Sequence, residues 1–222
     1  SSDEPMSHLK CLVGMIDELL AERRLERRDI SCVAASEGPA SFTGVRIGIS
    51  TARAVAQALR VETVGVSTLE SFVYNLPDYR GAVCPIFDAR RGEVYCGAYY
   101  VNQADEVKTL ITGRACLVEE LFSAIDAVNW DGYAGLEKDL IFFGDGVPVY
   151  RAKIEEWQAA SSIGDIRISM APAEFATQRA PSVAKLALAL WRRGLARPFS
   201  ELKPVYMRMS EAERKLRGAV GA

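Results

Sequence analysis

Residues 29–59 contain the most informative pattern of the chain and read DISCVAASEGPASFTGVRIGISTARAVAQAL. The apolar run at 29–36 predicts a short buried strand. Residues 37–44 combine Gly, Pro, Ser and Thr, which predicts a turn-rich loop. Residues 45–59 repeat apolar side chains at helical spacing and are dense in small residues, which predicts a helix. A strand, a loop and a helix in this order indicate an α/β fold.

The same kinds of segment extend in both directions and divide the chain into two parts. The first part has the order α-β-α-β-α, with a predicted helix at 8–24, a strand at 61–66 and a helix at 68–75 around the central segment. The second part has the order β-β-β-α-β-α-β-α and opens with a hairpin. Its predicted strands are 82–89, 94–101, 106–112, 139–143 and 166–170, and its predicted helices are 117–128, 147–159 and 181–193.

The two orders match when the opening three strands of the second part are removed. This internal duplication predicts two related α/β lobes, of which the first lacks its N-terminal strands. A chain that begins with Ser1 and a first lobe of only two strands agree with an N-terminally truncated first lobe. The predicted divisions are an N-terminal lobe at 1–75, a linker at 76–81, a C-terminal lobe at 82–208 and a charged tail at 209–222.

Composition narrows the classes of function. The chain has 222 residues, a formal net charge of −2, one histidine and five cysteines without a CxxC pair. Apolar runs of about six residues predict no membrane span, which needs ~20, and the polar first ten residues predict no signal peptide. The odd number of cysteines favours reduced thiols in a cytoplasmic protein over a disulfide framework. With His8 as the single histidine, a zinc site is not expected.

The loop at 37–44 allows two interpretations. Backbone N–H groups at a helix start, with the Ser41 and Thr43 hydroxyls nearby, could hold a phosphate. The same residues could instead form an ordinary strand-to-helix turn in which Ser41 or Thr43 caps the helix. The loop lacks the lysine of a P-loop, and Ala40 hinders close approach of the backbone. Arg46 would serve either a phosphate or a carboxylate of a partner.

The helix at 45–59 has two faces of small or apolar side chains. One face holds Ile47, Thr51, Val55 and Ala58, and a neighbouring face holds Gly48, Ala52 and Ala56. One face must pack on the sheet of its own lobe. The second face, together with surplus apolar residues on the helix at 8–24, favours a helix-on-helix contact with another subunit. Isolated exposed apolar residues are also ordinary in proteins.

Two further clusters fall in turns of the second part. Asp88, Arg90, Arg91 and Glu93 lie at the tip of the predicted hairpin, where they would form either a charged contact or a solvated turn. The triplet Gly144, Asp145 and Gly146 lies between a strand and a helix, where the duplication matches it with the loop at 37–44. It would be either a nucleotide-contacting loop or a simple turn.

A resemblance to a known family is carried by residues 38–48, GPASFTGVRIG. This segment resembles the GPGSFTGxRIG signature of the TsaB (YeaZ) family, with Ala40 in place of the usual glycine. Further likeness follows in VGVSTLE at 64–70, DARRGEVY at 88–95, GDG at 144–146 and PVYMR at 204–208. The likeness extends from His8 to about Arg208. The opening strands of the family, with their first phosphate loop, are absent.

The resemblance implies an actin-like ATPase (ASKHA) fold of two duplicated lobes. It implies a non-catalytic partner of the paralogue TsaD, which modifies the adenosine beside the tRNA anticodon, and the ATPase TsaE joins them. It implies no cofactor of the chain's own and allows ATP or ADP at the partner interface. Alone, such a chain is expected to form a homodimer, and tRNA is expected to bind only within the complex. No metal site is implied, because the position four residues after His8 is Leu12 rather than a second histidine.

The resemblance also implies three groups of site residues. The signature loop comprises Gly38, Pro39, Ser41, Phe42, Thr43, Gly44 and Arg46. The partner interface comprises His8, Leu12, Met15, Leu19, Gly48, Thr51, Ala52 and Val55. The inter-lobe cleft comprises Asp88, Arg90, Arg91, Glu93, Gly144, Asp145 and Gly146.

Three other functions compete with a scaffold role. An independent ASKHA-type phosphotransferase would need a complete nucleotide cleft, and the missing first phosphate loop counts against it. A peptidase would need a nucleophile and a base, but no GxSxG elbow occurs and His8 lies in a helical pattern. An RNA-binding module acting alone is disfavoured by the net charge of −2.

Overall fold

The structure is a computed structural model that describes residues 7–76, 78–161 and 163–208, with side chains described from residue 12 onward except that of Ala173. The predicted charged tail at 209–222 lies outside the described residues. No described helix is long and apolar enough to cross a bilayer.

The first lobe is built on two parallel strands. Helix α1 (Ser7–Glu22) precedes β1 (Cys32–Gly38), and α2 (Phe42–Leu59) leads to β2 (Glu62–Ser67), which pairs with β1 in parallel. Helix α2 begins three residues before the predicted start. The reason is that the Ser41 hydroxyl accepts the Gly44 N–H at 3.1 Å and caps the helix there.

Ser67 caps the next helix in the same way, by accepting the Glu70 N–H. Only one turn follows as α3 (Thr68–Ser71), and the chain then tightens into a 3-10 turn at Phe72–Tyr74. The single helix predicted at 68–75 is therefore two short elements.

The second lobe contains a five-stranded sheet in the order β5-β4-β3-β6-β7. Strands β3 and β4 form the predicted antiparallel hairpin, whereas β3, β6 and β7 run parallel. Strand β5 continues five residues past its predicted end, because it keeps its pairing with β4 as far as the Glu93–Leu117 pair. The elements are β3 (Ala82–Asp88), β4 (Glu93–Val101), β5 (Val107–Leu117), α4 (Val118–Asp126), β6 (Asp139–Phe143), α5 (Gly146–Ala160), β7 (Arg167–Met170) and α6 (Ala180–Arg192).

Helices cover both faces of this sheet. On one face, α4 and α5 bury Leu121 and Ile154 against the strands. On the other face, α3 and the 3-10 turn bury Leu69 and Phe72 against Tyr99 and other strand residues. The mixed sheet sandwiched between helices agrees with the actin-like α/β fold that the resemblance implied.

The last helix crosses back to the first lobe. Leu186 and Ala187 of α6 pack against Val64 and Val66 of β2, although α6 follows the whole second sheet in sequence. The predicted domain ranges stay a prediction, since α6 belongs to 82–208 by sequence and to the first sheet by packing.

Beyond α6, residues 197–208 form a segment that we call the C-terminal strap. Arg197 pairs with Thr63 of β2 in an antiparallel bridge. Leu202 is fully buried in the small core under α2. The Val205 N–H then donates to the Glu37 carbonyl oxygen at 2.8 Å. The strap thus follows the first lobe from β2 to the end of β1.

The four cysteines whose side chains the structure describes are free thiols. Cys84, Cys96 and Cys116 are buried in the core of the second lobe, and the Sγ atoms of Cys96 and Cys116 lie 3.4 Å apart. The hairpin register pairs Cys96 with Ile86 rather than with Cys84. Burial raises the pKa of the Cys84 and Cys96 thiols, so their neutral forms fit the apolar core.

Candidate functional site

A cavity of about 570 Å³ lies between the two lobes. The signature loop forms one wall, and the end of β3 with the hairpin tip forms the other. Residues 176–178 contribute as well. Its lining comprises Pro39, Ala40, Ser41, Phe42, Thr68, Phe87, Asp88, Ala89, Arg90, Tyr95, Asp145, Ala176, Thr177 and Gln178. The structure therefore brings together residues from two of the three groups that the sequence predicted.

The signature loop is shaped by close contact with the strap. Gly38 has φ +115°, and a Cβ there would lie 2.8 Å from the Val205 carbonyl oxygen. Only glycine adopts this positive φ readily and also leaves room for the Val205 carbonyl oxygen. Pro39 is buried after Gly38, while Ser41, Thr43 and Gly44 are exposed at the start of α2. The capping turn is therefore real, and phosphate binding by the same loop stays a prediction.

Arg46 contacts the C-terminal strap, which the sequence did not indicate. Its guanidinium lies 3.9 Å from the centre of the Phe42 ring, and its Nε donates to the Tyr206 hydroxyl at 2.7 Å. The Phe42 and Tyr206 rings stack 5.0 Å apart. Arg46 thus fastens the strap to the first turn of α2, and its predicted service to a phosphate or a partner carboxylate stays untested.

The hairpin tip is a tight left-handed turn. Arg90 and Arg91 have φ values of 64° and 59°, and Gly92 has φ 80°. Asp88 supports the turn, because its Oδ1 accepts the Arg90 N–H at 2.8 Å. Asp145 supports Asp88 in turn, since its Oδ1 accepts the Asp88 N–H at 3.1 Å. The two predicted cleft clusters are therefore joined by a hydrogen bond.

The glycines beside Asp145 have a packing role. Gly144 has φ +102°, and a Cβ on it would run into the Ile86 carbonyl oxygen. A Cβ on Gly146 would lie 2.9 Å from the same oxygen. The triplet lets the start of α5 approach β3 closely, which places Asp145 at the cleft.

The strap bridges the lobes at the hairpin tip. Arg208 donates to the Ala89 carbonyl oxygen at 2.6 Å, and its guanidinium lies 2.9 Å from Glu93 Oε2. The contact between Arg208 and Glu93 is an ion pair whose angles do not suit a hydrogen bond. Arg208 is 18% exposed, so the contact is largely shielded from water. Together with Tyr206, which contacts Phe42 and Arg46 of α2, it connects the signature loop to the hairpin.

Charge near the cavity is mixed. Its charged lining residues are Asp88, Asp145 and Arg90. Close by, Glu37 forms an ion pair with Arg197. Burial raises the pKa of Glu37, and the adjacent Arg197 opposes that rise. Within the described ranges, no cluster of three or more His, Cys, Asp or Glu side chains could hold a metal ion.

A separate surface is formed by α1 and α2. Met15 is 56% exposed and Leu19 57% exposed, and both lie on α1. A groove of about 340 Å³ separates α1 from β1 and α2, and a second one of about 260 Å³ lies between α1 and α2. The predicted interface residues Leu12, Gly48, Thr51, Ala52 and Val55 line the larger groove.

Two of the predicted interface residues need separate treatment. Ala52 is only 7% exposed and packs against Ala35, Ile49 and Leu202 in the core under α2. Ala52 also lines the larger groove, so its place in the contact surface stays a prediction. The side chain of His8 lies outside the described residues.

Sequence reasoning missed several residues that connect the lobes. Gln178 donates to the hydroxyls of Ser36 and Ser71 at 2.8 and 3.1 Å, and thereby joins β1 to α3. No sequence pattern marked Gln178. Tyr206 and Arg208 stand in the PVYMR motif, which was noted as a likeness without a role. Their contacts depend on how the strap folds back, which the sequence pattern does not specify.

The two sheets, their parallel strands and the cleft between them define an α/β protein of the actin-like ATPase type. A family model described as "TsaD: tRNA N6-adenosine threonylcarbamoyltransferase" matches residues 5–216. The Bacillus subtilis tRNA threonylcarbamoyladenosine biosynthesis protein TsaB is 30% identical over 204 residues, covering 90% of this chain and 79% of that protein. The Escherichia coli protein of the same name is 26% identical over 222 residues, covering 96% and 86%.

Solved structures agree with these relatives. A Pseudomonas aeruginosa crystal structure, of an uncharacterized protein with similarity to peptidase YeaZ, has a TM-score of 0.72 and 26% identity, covering 93% of this chain and 87% of that one. A structure of Pseudomonas aeruginosa YeaZ has a TM-score of 0.71 at 26% identity, covering 91% and 85%. The chain belongs to the TsaB (YeaZ) family, as its signature segment indicated.

Proposed function

We propose that the chain is a non-catalytic scaffold in the synthesis of threonylcarbamoyladenosine in tRNA, and that it binds a TsaD-like catalytic subunit. The relatives named for this biosynthesis support the pathway. The observation that carries the scaffold role is the apolar surface of α1 and α2. In this proposal the chain contributes no catalytic residue of its own.

The physical argument starts from the apolar groups that the fold leaves uncovered. Val13, Met15 and Leu19 of α1 are each at least half exposed. Covering the remaining area of one such side chain contributes roughly 1 kcal/mol, because full burial contributes about 1.5–3 kcal/mol. The grooves beside α1 would let side chains of a partner helix enter next to Gly48 and Thr51. Small residues allow this close approach.

The scaffold would act by population shift. A partner that binds one conformation of the catalytic subunit more tightly favours that conformation. A TsaE-like ATPase would join the pair, and ATP or ADP would lie at the partner interface rather than in this chain alone. Without its partner, the chain would form a homodimer through the same helices. Binding of tRNA would require the assembled complex.

The test is light scattering after size exclusion, with the chain and the TsaD-like protein of its organism at micromolar concentration. We expect a hetero-complex with the unchanged chain. The double substitution Met15→Arg with Leu19→Arg should abolish it. Val149→Arg is the matched control, since Val149 is 60% exposed on α5 of the other lobe. An unaffected complex with the double variant, shown to be folded by circular dichroism, would place the contact elsewhere.

An independent nucleotide-binding phosphotransferase is the second candidate. The inter-lobe cavity of about 570 Å³ supports it, since ligand sites usually measure about 300–1,000 Å³. Two of the three charged side chains on its lining are carboxylates, Asp88 and Asp145, which repel a triphosphate without a bridging cation. Titration calorimetry of the isolated chain with Mg²⁺-ATP separates the two: a stoichiometric binding isotherm would favour the phosphotransferase, and no heat would favour the scaffold.

A further inference from the structure

The outer face of α6 borders a groove that neither the cleft nor the α1–α2 surface includes. It measures about 280 Å³ and lies between α6, the 3-10 turn at Phe72–Tyr74 and the start of the second lobe. We call it the α6 groove. The residues that matter for its chemistry are Tyr74, Arg80, Asp105, Lys185, Leu188 and Arg192.

The cations of the α6 groove outnumber its carboxylates and form no ion pairs with them. Arg80, Lys185 and Arg192 make no ion pair or hydrogen bond through their side chains with the part of the chain that the structure describes. Two carboxylates, Asp78 and Asp105, also line the groove, but neither comes within 4 Å of these cations. Three cations against two carboxylates leave an excess positive charge that is available to an anionic ligand.

A buried polar group points to the same conclusion. The Tyr74 hydroxyl is shielded from water and has no hydrogen-bond partner among the described residues. A buried hydroxyl without a partner costs free energy, so such groups usually have one. Tyr74 lines the groove, so a ligand bound there lies beside this unpaired hydroxyl.

The spacing along α6 suits an extended anionic chain. Lys185 and Arg192 stand seven residues apart, which places them on one face two turns apart, at about 10 Å. Trp191 precedes Arg192 on α6 and is 41% exposed. Leu188 on the same helix and Leu195 just beyond its end are 42% and 52% exposed. Cations that follow a backbone, with an aromatic ring beside them, are the components of single-stranded nucleic acid sites.

We propose that the α6 groove and Trp191 form an RNA-contact surface. Lys185 and Arg192 bind backbone phosphates, and the indole of Trp191 stacks on an unpaired base. An apolar protein partner fits less well, because it would bury three cations that form no ion pairs, with only two carboxylates in the same groove. The proposal rests on the proposed function, since the RNA would be the tRNA that the complex modifies.

The experiment measures binding of a fluorescein-labelled, unmodified tRNA transcript to the complex of this chain with its TsaD-like partner. Fluorescence anisotropy is recorded at several salt concentrations. For Lys185→Glu with Arg192→Glu, we expect affinity to fall at least about tenfold, and the slope of log K against log salt to shrink by ~1–2. Trp191→Ala should cost roughly 5- to 100-fold if one base stacks on the indole.

Arg151→Glu is the matched control, because Arg151 is an exposed cation on α5, on the opposite layer of the second lobe. It should change affinity less than about twofold. The size-exclusion assay is run on every variant, so that loss of partner docking, which would count against the proposed function, is separated from loss of tRNA binding.

Equal tRNA affinity and equal salt slopes for the Lys185/Arg192 variant and the control would overturn the RNA surface while leaving the scaffold intact. Polyglutamate that competes as well as single-stranded RNA would also overturn it, since the occupant would then be an acidic protein. A tRNA effect confined to the groove variants, with docking retained, would support it. Quenching of the exposed Trp191 fluorescence by RNA, lost in Trp191→Ala, would support the stacking role.

Discussion

Replacement of Arg208 by alanine should loosen the contact between the C-terminal strap and the hairpin tip. Arg208 donates to the Ala89 carbonyl oxygen at 2.6 Å and lies 2.9 Å from Glu93 Oε2. Both contacts reach from the end of the strap to the second lobe. Alanine removes them together and leaves the Glu93 carboxylate, which is about one-third exposed, without its counter-charge.

The magnitude follows from the two contacts. A hydrogen bond from a charged group contributes about 1.5–3 kcal/mol. The ion pair, which is partly exposed, adds about 0.5–1 kcal/mol after discounting for solvent. Allowing for overlap between the two, we expect a loss of about 2–3 kcal/mol. For a chain of this size each kcal/mol lowers Tm by about 2–4 °C, so Tm should fall by about 4–12 °C.

Two measurements check this prediction. Scanning calorimetry gives the change in Tm, and hydrogen exchange followed by mass spectrometry shows faster exchange at residues 89–93. The matched control is Arg151→Ala, which breaks an exposed 3.5 Å pair with Glu155 and should cost only about 0.3–0.5 kcal/mol. Equal Tm values for the two variants, with unchanged exchange at the tip, would refute a holding role for Arg208.

Two further predictions follow from buried titratable groups. Burial raises the pKa of the Glu70 carboxyl above its usual value of 4.5. The free energy of unfolding therefore falls as pH rises above the pKa of the unfolded chain, and the loss is complete above the pKa of the folded chain. Glu70→Gln should therefore raise Tm at pH 8 and leave it unchanged near pH 3, and an equal shift at both values would contradict the argument. Among the described cysteines, Cys32 is half-buried whereas Cys84, Cys96 and Cys116 are buried. In the folded chain an aromatic disulfide reagent should label Cys32, and it should label Cys84, Cys96 and Cys116 only in denaturant. Because burial raises the pKa of Cys32, its reactive thiolate form grows as pH rises, and labelling should become faster. Labelling of Cys96 in the folded chain would disprove the described core.

The sequence pattern was sufficient where apolar spacing alone determines an element. Strand β6 (Asp139–Phe143) has the predicted bounds, and the β3–β4 hairpin forms where the turn residues indicated. The sequence pattern was insufficient where a capping side chain or the pairing with another strand determines where an element begins or ends. The Ser41 cap starts α2 early, and the length of β5 depends on pairing with β4 rather than on its own residues.

The site was predictable only in part, for a related reason. The signature loop, the hairpin tip and Asp145 were each recognised locally, and the fold brings them to one cavity. The burial of Ala52 was not predictable, because the contact that buries it includes Leu202, 150 positions away in sequence. Packing between residues so far apart in sequence does not alter the apolar spacing of α2 or of the strap, so neither pattern predicts it.

The contacts between the lobes bear on the choice between a scaffold and an enzyme. Enzymes that close domains around a ligand need hinges that allow the lobes to move. Here α6 returns to the first lobe, Gln178 joins β1 to α3, and the strap fastens α2 to the hairpin tip. Each link opposes opening of the cleft. A chain with these links is suited to present a fixed surface, so we expect both lobes to unfold in one transition rather than two. If calorimetry resolved two transitions, of which Arg208→Ala lowered only one, the lobes would be independent and the fixed-surface argument would fail.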